Sequence, residues 1–205
     1  MITETEAIVV PAKSPYQTLK DLAADLKRDA GSVRVAGGSA GSTDQLLLGE
    51  LTRKVGGDPA KTKFVAHSGG GEANAAILSG SVDAGMTGLS EVVDQVEGGK
   101  MRLLAVSAPV DLQIDGRKPP TIKDEGIDLE MTNWRAITAP PGITGAERER
   151  IAGWVTHVMD SAAWKKSEEK FDWTPFVKTG AELDRFVSSE QQRVQGIVAD
   201  LNLAG

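Results

Sequence analysis

Short apolar segments, loops of glycine and hydroxyl residues, and helical patterns follow one another repeatedly along this chain. Residues 33–36, 63–66, 82–86 and 101–106 are short runs typical of buried strands, and apolar residues recur at helical spacing between them. This alternation predicts an α/β fold with a parallel-dominated sheet and helices on both faces. Because crossovers between parallel strands are right-handed, the loops that follow the strands should share one edge of the sheet.

Three of these strand-to-helix loops combine glycine with serine, threonine or histidine, namely residues 37–43, 67–71 and 87–90. Glycine lets the backbone approach a guest closely, and the first N–H groups of a helix have no partner within the helix. Together they favour anion capture by backbone amides, in a locally positive site that needs no lysine or arginine. The predicted ligand-binding residues are Gly38, Ser39, Ala40, Gly41, Ser42, Thr43, Ser68, Gly69, Gly70, Gly71, Gly88, Leu89 and Ser90.

The same residues also have a purely structural interpretation. Serine and threonine are ordinary helix N-caps, and glycine is common in loops between strands and helices. Asp44, Glu72 and Glu91 occupy first helical turns, where their charges partly neutralise the helix dipoles. The residues alone are compatible with both interpretations, a binding site and three ordinary helix caps.

Composition excludes several classes of function. The formal net charge of −6 argues against nucleic acid as a partner, since such binding needs a basic surface. No cysteine is present, which removes disulfides, iron–sulfur clusters and cysteine nucleophiles, and no pattern predicts a metal site or a cofactor. The first loop lacks the lysine of a P-loop and the glycine spacing of a dinucleotide fingerprint.

Catalytic candidates are few, and we predict no catalytic residue. His67 and His157 are the two histidines, and Ser68 lies in no nucleophile elbow. The alternative is a cytosolic flavodoxin-like enzyme acting on a phosphorylated or carboxylated small molecule. That alternative requires His67 and Asp83 as its acid/base pair.

Five segments, in order along nearly the whole chain, resemble the substrate-binding receptors of tripartite tricarboxylate transporters. They are residues 70–73, 79–85, 98–106, 120–126 and 133–142. The resemblance implies a periplasmic-binding-protein-like fold of type II, a carboxylate held between two lobes, and no catalysis. It also implies transporter membrane subunits as partners and a periplasmic or cell-surface location. In this family, amides, hydroxyls and bridging waters hold the carboxylate, in loops that correspond to residues 38–43, 68–71 and 88–90.

Two departures from the family pattern shape the remaining expectations. Gln45 stands where members often have histidine, which leaves the identity of the ligand open. We expect this chain to lack the family's N-terminal segment and signal, and residues 11–125 to form a complete second lobe. Residues 1–10 and 126–205 should then form a crossover strand and an incomplete first lobe, with apolar helix faces buried in a possible homodimer. Such a chain should bind its ligand weakly.

Overall fold

The protein is described by a computed structural model over residues 2–200. Within these residues the chain forms seven β-strands and seven α-helices, joined by short 3₁₀ turns. The strands are β1 (Ile2–Pro11), β2 (Arg34–Gly37), β3 (Lys63–Ala66), β4 (Ala84–Gly88), β5 (Met101–Val106), β6 (Thr132–Arg135) and β7 (Thr174–Pro175). The helices are α1 (Leu19–Asp29), α2 (Thr43–Lys54), α3 (Gly70–Ser79), α4 (Val93–Glu97), α5 (Gly145–Met159), α6 (Ala162–Phe171) and α7 (Gly180–Asp200).

Five strands form a mixed sheet in the order β3-β2-β4-β1-β5. The strand β2 runs parallel to both β3 and β4, whereas β1 runs antiparallel to β4 and β5. Both β6 and β7 also pair with β1. The carboxyl ends of β2, β3 and β4 therefore lie at one edge of the sheet, which is the edge that the three predicted loops were expected to share.

Two apolar cores lie on opposite faces of this sheet, because successive side chains in a strand point to opposite sides. Ile8 and Val10 join one cluster with the leucines of α1 and α2. Ala7 and Val9 join the other with Ile77 of α3 and with residues around α4. Helices thus cover both faces, as the sequence predicted.

The helices begin where their capping residues predict. Thr18 and Thr144 both form capping boxes, with Asp21 in the first turn of α1 and Glu147 in the first turn of α5. In each, the threonine hydroxyl accepts from the N3 amide, and the acidic side chain accepts from the N-cap amide. These reciprocal bonds satisfy amides that the helix leaves open.

Contacts within the chain divide it into two units. One comprises Thr5–Asn133 together with residues 193–200, and it contains the five-stranded sheet. The other comprises Trp134–Gln192 together with the start of β1. These bounds place residues 5–10 with the large unit, since β1 lies between β4 and β5. The assignment of residues 11–125 to a ligand-binding lobe stays a prediction.

No helix within residues 2–200 combines the length and the apolar character that crossing a membrane requires.

Candidate functional site

The three predicted loops come together at the carboxyl edge of the sheet, hereafter the rim. Residues 38–42 follow β2, residues 67–69 follow β3, and residues 89–91 follow β4. The amide of His67 donates to the carbonyls of Gly37 and Gly38, at 3.1 and 3.0 Å, and so joins the first loop to the second. Asn74 Nδ2 donates to the carbonyl of Glu91 at 2.9 Å and joins α3 to the third loop.

The first loop makes a tight turn before α2. Ser42 N–H donates to the Ser39 carbonyl at 3.0 Å across the turn, with Ala40 and Gly41 between them. Gly41 has a φ of 78°, a left-handed conformation that favours glycine. Ser42 is the N-cap of α2 but makes no side-chain capping bond, and Thr43 Oγ1 instead donates to Asn133 Oδ1 at 3.3 Å.

The second loop places Gly69 at the N-cap of α3, with Gly70 and Gly71 as its first residues. In the third loop Gly88 ends β4 opposite Glu6 of β1. Leu89 is only 2% exposed, and its side chain belongs to the apolar core. Ser90 is partly exposed beside it. The predicted contact Leu89 is thus buried, backbone included, whereas Ser90 is partly open to solvent.

The prediction of bare amides at this edge was wrong for three of them, because side chains of the protein accept from them. Gly38 N–H donates to Asp44 Oδ2 at 2.6 Å, and Gly41 N–H donates to Gln45 Oε1 at 2.7 Å. Ser68 N–H donates to Glu72 Oε2 at 3.0 Å. The predicted locally positive site is therefore offset by acidic side chains from the first helical turns.

Glu91 adds a further carboxylate at the mouth of α3. Thr87 Oγ1 donates to Glu91 Oε2, which fixes the orientation of the side chain. A Cβ placed on Gly70 would lie 2.6 Å from Glu91 Oε1, so a larger residue there would displace the carboxylate from this position. Glycine at position 70 thus leaves the space that the Glu91 carboxylate occupies.

Asp44 is enclosed beneath the same edge. The residue is 8% exposed, and the fully buried Glu6 lies within hydrogen-bonding reach of it. Desolvation raises the pKa of Asp44 above its ordinary value, and the charge of Glu91 adds to the rise. The hydrogen bonds from Gly38 N–H and from Glu6 oppose that rise in the pKa.

Sequence reasoning missed Glu6 altogether. The residue lies in β1, and no apolar or helical pattern in the sequence marks its position as buried. Its amide donates to Ser107 Oγ at 2.9 Å, and that hydroxyl donates to the Met131 carbonyl at 2.6 Å. These bonds hold the Glu6 backbone in β1, and no local sequence pattern reveals partners so far along the chain.

Three other polar atoms at the rim are buried and make no hydrogen bond with any residue the structure describes. They are Ser42 Oγ, His67 Nε2 and Asn74 Oδ1. Orphaned buried polar atoms are uncommon in folded proteins, and each calls for a polar guest or an ordered water. The rim thus keeps hydrogen-bonding capacity that its own residues leave unused.

The residues required by the enzyme alternative lie apart. His67 follows the carboxyl end of β3, whereas Asp83 precedes β4 at the opposite edge of the sheet. Arg34 donates to both Asp83 oxygens, from Nε at 3.1 Å and from its terminal nitrogen at 3.0 Å. Although desolvation raises the pKa of Asp83, the Arg34 bonds outweigh it and hold the pKa below its usual value. Asp83 therefore pairs with Arg34 at the opposite edge, and the carboxylate whose charge interacts with His67 is Glu72.

Comparison with known proteins adds family information to this geometry. The family model of the tripartite tricarboxylate transporter family receptor matches residues 1–203. A protein encoded in the gbd 5′ region of Cupriavidus necator is 26% identical over 96% of this chain and 59% of its own length. BugT of Bordetella pertussis is 24% identical over 94% of this chain and 58% of its own length. The chain thus spans less than two thirds of these relatives.

Solved structures show the same fold. MatC of Rhodopseudomonas palustris with bound malate superposes with a TM-score of 0.82 at 20% identity, covering 96% of this chain and 67% of MatC. Another R. palustris protein, Rpa4515 with adipate, gives 0.81 at 18% identity, covering 98% and 67% of the two chains. The predicted periplasmic-binding-protein-like α/β fold is confirmed. The match of the family model over residues 1–203 shows that this chain belongs to the tripartite tricarboxylate transporter receptor family.

Proposed function

We propose that this chain carries the ligand-binding edge of an extracytoplasmic receptor. The receptor captures a small carboxylate and delivers it to the membrane subunits of a tripartite tricarboxylate transporter, in the periplasm or at the cell surface. Family membership supports the class of protein, and the structures with malate and adipate are examples of carboxylates bound on this fold.

The observation that carries the proposal is the group of orphaned polar atoms at the rim. Ser42 Oγ, His67 Nε2 and Asn74 Oδ1 lie on two neighbouring loops and the helix after the second one. A carboxylate can accept from a serine hydroxyl and from an imidazole N–H, and it needs no redox or acid/base chemistry from the protein. The thirteen residues predicted from the sequence remain the proposed contact set.

Binding can be tested on the full 205-residue chain by recording amide spectra during titration with malate, adipate, citrate and aspartate at millimolar concentrations. We expect saturable shifts confined to amides of the three rim loops. Ser42→Ala should weaken binding about three- to tenfold, because one hydrogen bond is lost.

Ser32→Ala is the matched control, since Ser32 is exposed and its hydroxyl donates only to the nearby Asp29 carbonyl. It should bind as the unsubstituted chain does. The proposal fails when none of the four compounds shifts rim amides, or when the shifts map to another surface.

A further inference from the structure

Two acidic side chains meet beneath the rim, away from water. Glu6 of β1 is fully buried, and Asp44, in the first turn of α2, is 8% exposed. Their carboxyl groups lie within hydrogen-bonding reach of each other. Removing one carboxylate from water is costly, and two ionised carboxylates in contact also repel each other. Such a contact is stable only when one of the two groups carries a proton.

The charged groups around this pair strengthen the requirement for a proton. Glu91, in the loop after β4, adds a negative charge that acts on Asp44. Among the residues that the structure describes, Asp44 forms no salt bridge with a basic side chain. Arg135, on the strand β6 that pairs with β1, forms its salt bridge with Glu4 at 2.9 Å. A proton is therefore the positive charge that the contact itself supplies.

Asp44 also holds the first loop in place. Its Oδ2 accepts from Gly38 N–H at 2.6 Å. A Cβ on Gly37 would lie 2.8 Å from Asp44 Cβ and 2.6 Å from Phe64 Cζ, so the aspartate is packed tightly beneath the loop by groups that carry no charge. Because a packed interior leaves little spare room, movement of the Asp44 carboxylate would break its bond to Gly38.

We propose that Glu6 and Asp44 share a single proton, and that this proton locks the first rim loop onto the sheet. While the proton is held, Glu6 O–H donates to the Asp44 carboxylate, which also accepts from Gly38 N–H. Desolvation raises the pKa of Asp44, as expected of a buried pair that keeps one proton above the ordinary range of carboxyl groups. When the proton leaves to water, two negative charges remain in contact, and Asp44 moves away from Glu6 and releases Gly38.

Carboxylate binding should be linked to this proton, a consequence that rests on the proposed function. A guest carboxylate at the rim adds negative charge near the pair and favours its protonated form. Because linkage is reciprocal, the proton strengthens carboxylate binding by the same factor. The affinity for malate should therefore rise about fivefold or more as the pH falls through the titration of the pair.

Carbon-13 NMR of the full 205-residue chain, labelled at its carboxyl groups, tests the shared proton without any ligand. The carboxyl carbons of Glu6 and Asp44 should report one common titration step above the ordinary carboxyl values of about 4. Protection of the Gly38 amide against exchange with water, corrected for base catalysis, should fall about tenfold through that step, since one hydrogen bond is lost. The ring carbons of His67, whose charge interacts with Glu72, report its titration separately. Independent titration of the two carboxyl groups in their ordinary range overturns the shared proton.

Asp44→Asn replaces the titrating group with a neutral amide of the same shape and should keep Gly38 protected over the whole pH range. Asp94→Asn removes an exposed carboxylate from the first turn of α4 and should leave the pH dependence as it is in the unsubstituted chain. Protection of Gly38 that still falls with pH in Asp44→Asn overturns the lock. Where Asp44→Asn does not fold, the carboxyl titration and the Gly38 protection of the unsubstituted chain decide.

Malate affinity, measured from rim amide shifts on either side of the titration step, tests the linkage. Asp44→Asn should abolish the difference in affinity, whereas protonation of malate itself would leave that difference in place. Equal affinities for the unsubstituted chain overturn the linkage. Failure of malate and the other carboxylates to shift rim amides overturns the proposed function, and the shared proton and the lock are then decided by the measurements made without ligand.

Discussion

Asp44 makes a hydrogen bond that joins the first loop to α2, but its burial disfavours the charged form of its carboxylate. Its carboxylate accepts from Gly38 N–H at 2.6 Å and so holds the first loop against α2. The same position removes it from water beside Glu6 and near Glu91, which disfavours its ionised form. A neutral side chain of the same shape would keep the hydrogen bond and avoid most of that cost.

Asp44→Asn is therefore expected to stabilise the protein at neutral pH. The raised pKa of Asp44 means that the folded state holds a proton more tightly than the unfolded state does. The contribution of this group to the free energy of unfolding is intact below the ordinary pKa of 3.8 and falls as the pH rises through the raised value. The gain from Asp44→Asn should thus grow from pH 4 to pH 7 and exceed the roughly 0.5 kcal/mol of a neutral surface change.

Urea unfolding at several pH values, monitored by tryptophan fluorescence, measures this difference. Asp94→Asn provides the comparison, because Asp94 is an exposed aspartate in the first turn of α4. Stabilisation of equal size by both substitutions, or a gain that does not change with pH, would contradict the effect of burial on Asp44.

At the level of elements, sequence patterns predicted the strands whose position depends on neighbouring residues. The bounds of β3 and β5 match the predicted segments. By contrast, β1 extends from Ile2 to Pro11 across polar residues that no pattern assigned to a strand. Glu4 is only 5% exposed and forms an ion pair with Arg135, which lies 131 positions further along the chain. No local sequence pattern reveals such a partner.

The hydrogen bonds made by the acidic side chains of the rim were missed for a related reason. Acidic residues in first helical turns were visible in the sequence, but whether each accepts from a loop amide depends on a side-chain rotamer and on the approach of the neighbouring strand. The structure settles this for Asp44 and Glu72. Periodicity therefore predicts that loops meet at an edge, and it does not predict which groups they present there.

The packing of α3 on β4 depends on Gly85, and this contact provides a prediction at the scale of elements. A Cβ at Gly85 would overlap Ile77 Cδ1 and lie 2.7 Å from Ile77 Cγ1. Both residues lie in a tightly packed interior, so that Gly85→Ala must push the helix from the sheet. We expect a loss of about 1–3 kcal/mol in the free energy of unfolding.

Two further variants make that prediction specific. Ile77→Val removes the overlapping Cδ1, so that the double variant should lose less than the sum of the single losses. Gly196→Ala, in α7 with open space around the new Cβ, should be neutral or stabilising by up to about 1 kcal/mol. Strict additivity of Gly85→Ala and Ile77→Val in chemical denaturation would show that the helix is not displaced by this contact.

At the scale of the whole molecule, most of the large apolar side chains that are exposed within residues 2–200 belong to the smaller unit. Its exposed apolar side chains include Ile137, Trp154, Val158, Val177 and Val187, with Trp154 61% exposed. A cavity of about 570 Å³ opens in the same unit between α5 and α7, lined by residues such as Ile151, Leu183 and Val187. The apolar faces expected of α5 and α7 are present.

Self-association through these faces is the prediction that follows. Burying an exposed tryptophan and valine contributes about 25 cal/mol for each Å² of apolar surface removed from water, which favours dimers at high protein concentration. Sedimentation velocity over a hundredfold range of concentration should show a rising weight-average mass.

Trp154→Ser combined with Val158→Ser should return the chain to a monomer, because both side chains lie on the exposed part of α5. Leu78→Ser removes an apolar side chain of comparable exposure, 42%, from α3 of the other unit and should leave association unchanged. A mass that stays constant with concentration, or an equal effect of Leu78→Ser, would mean that α5 is not the surface through which the copies meet.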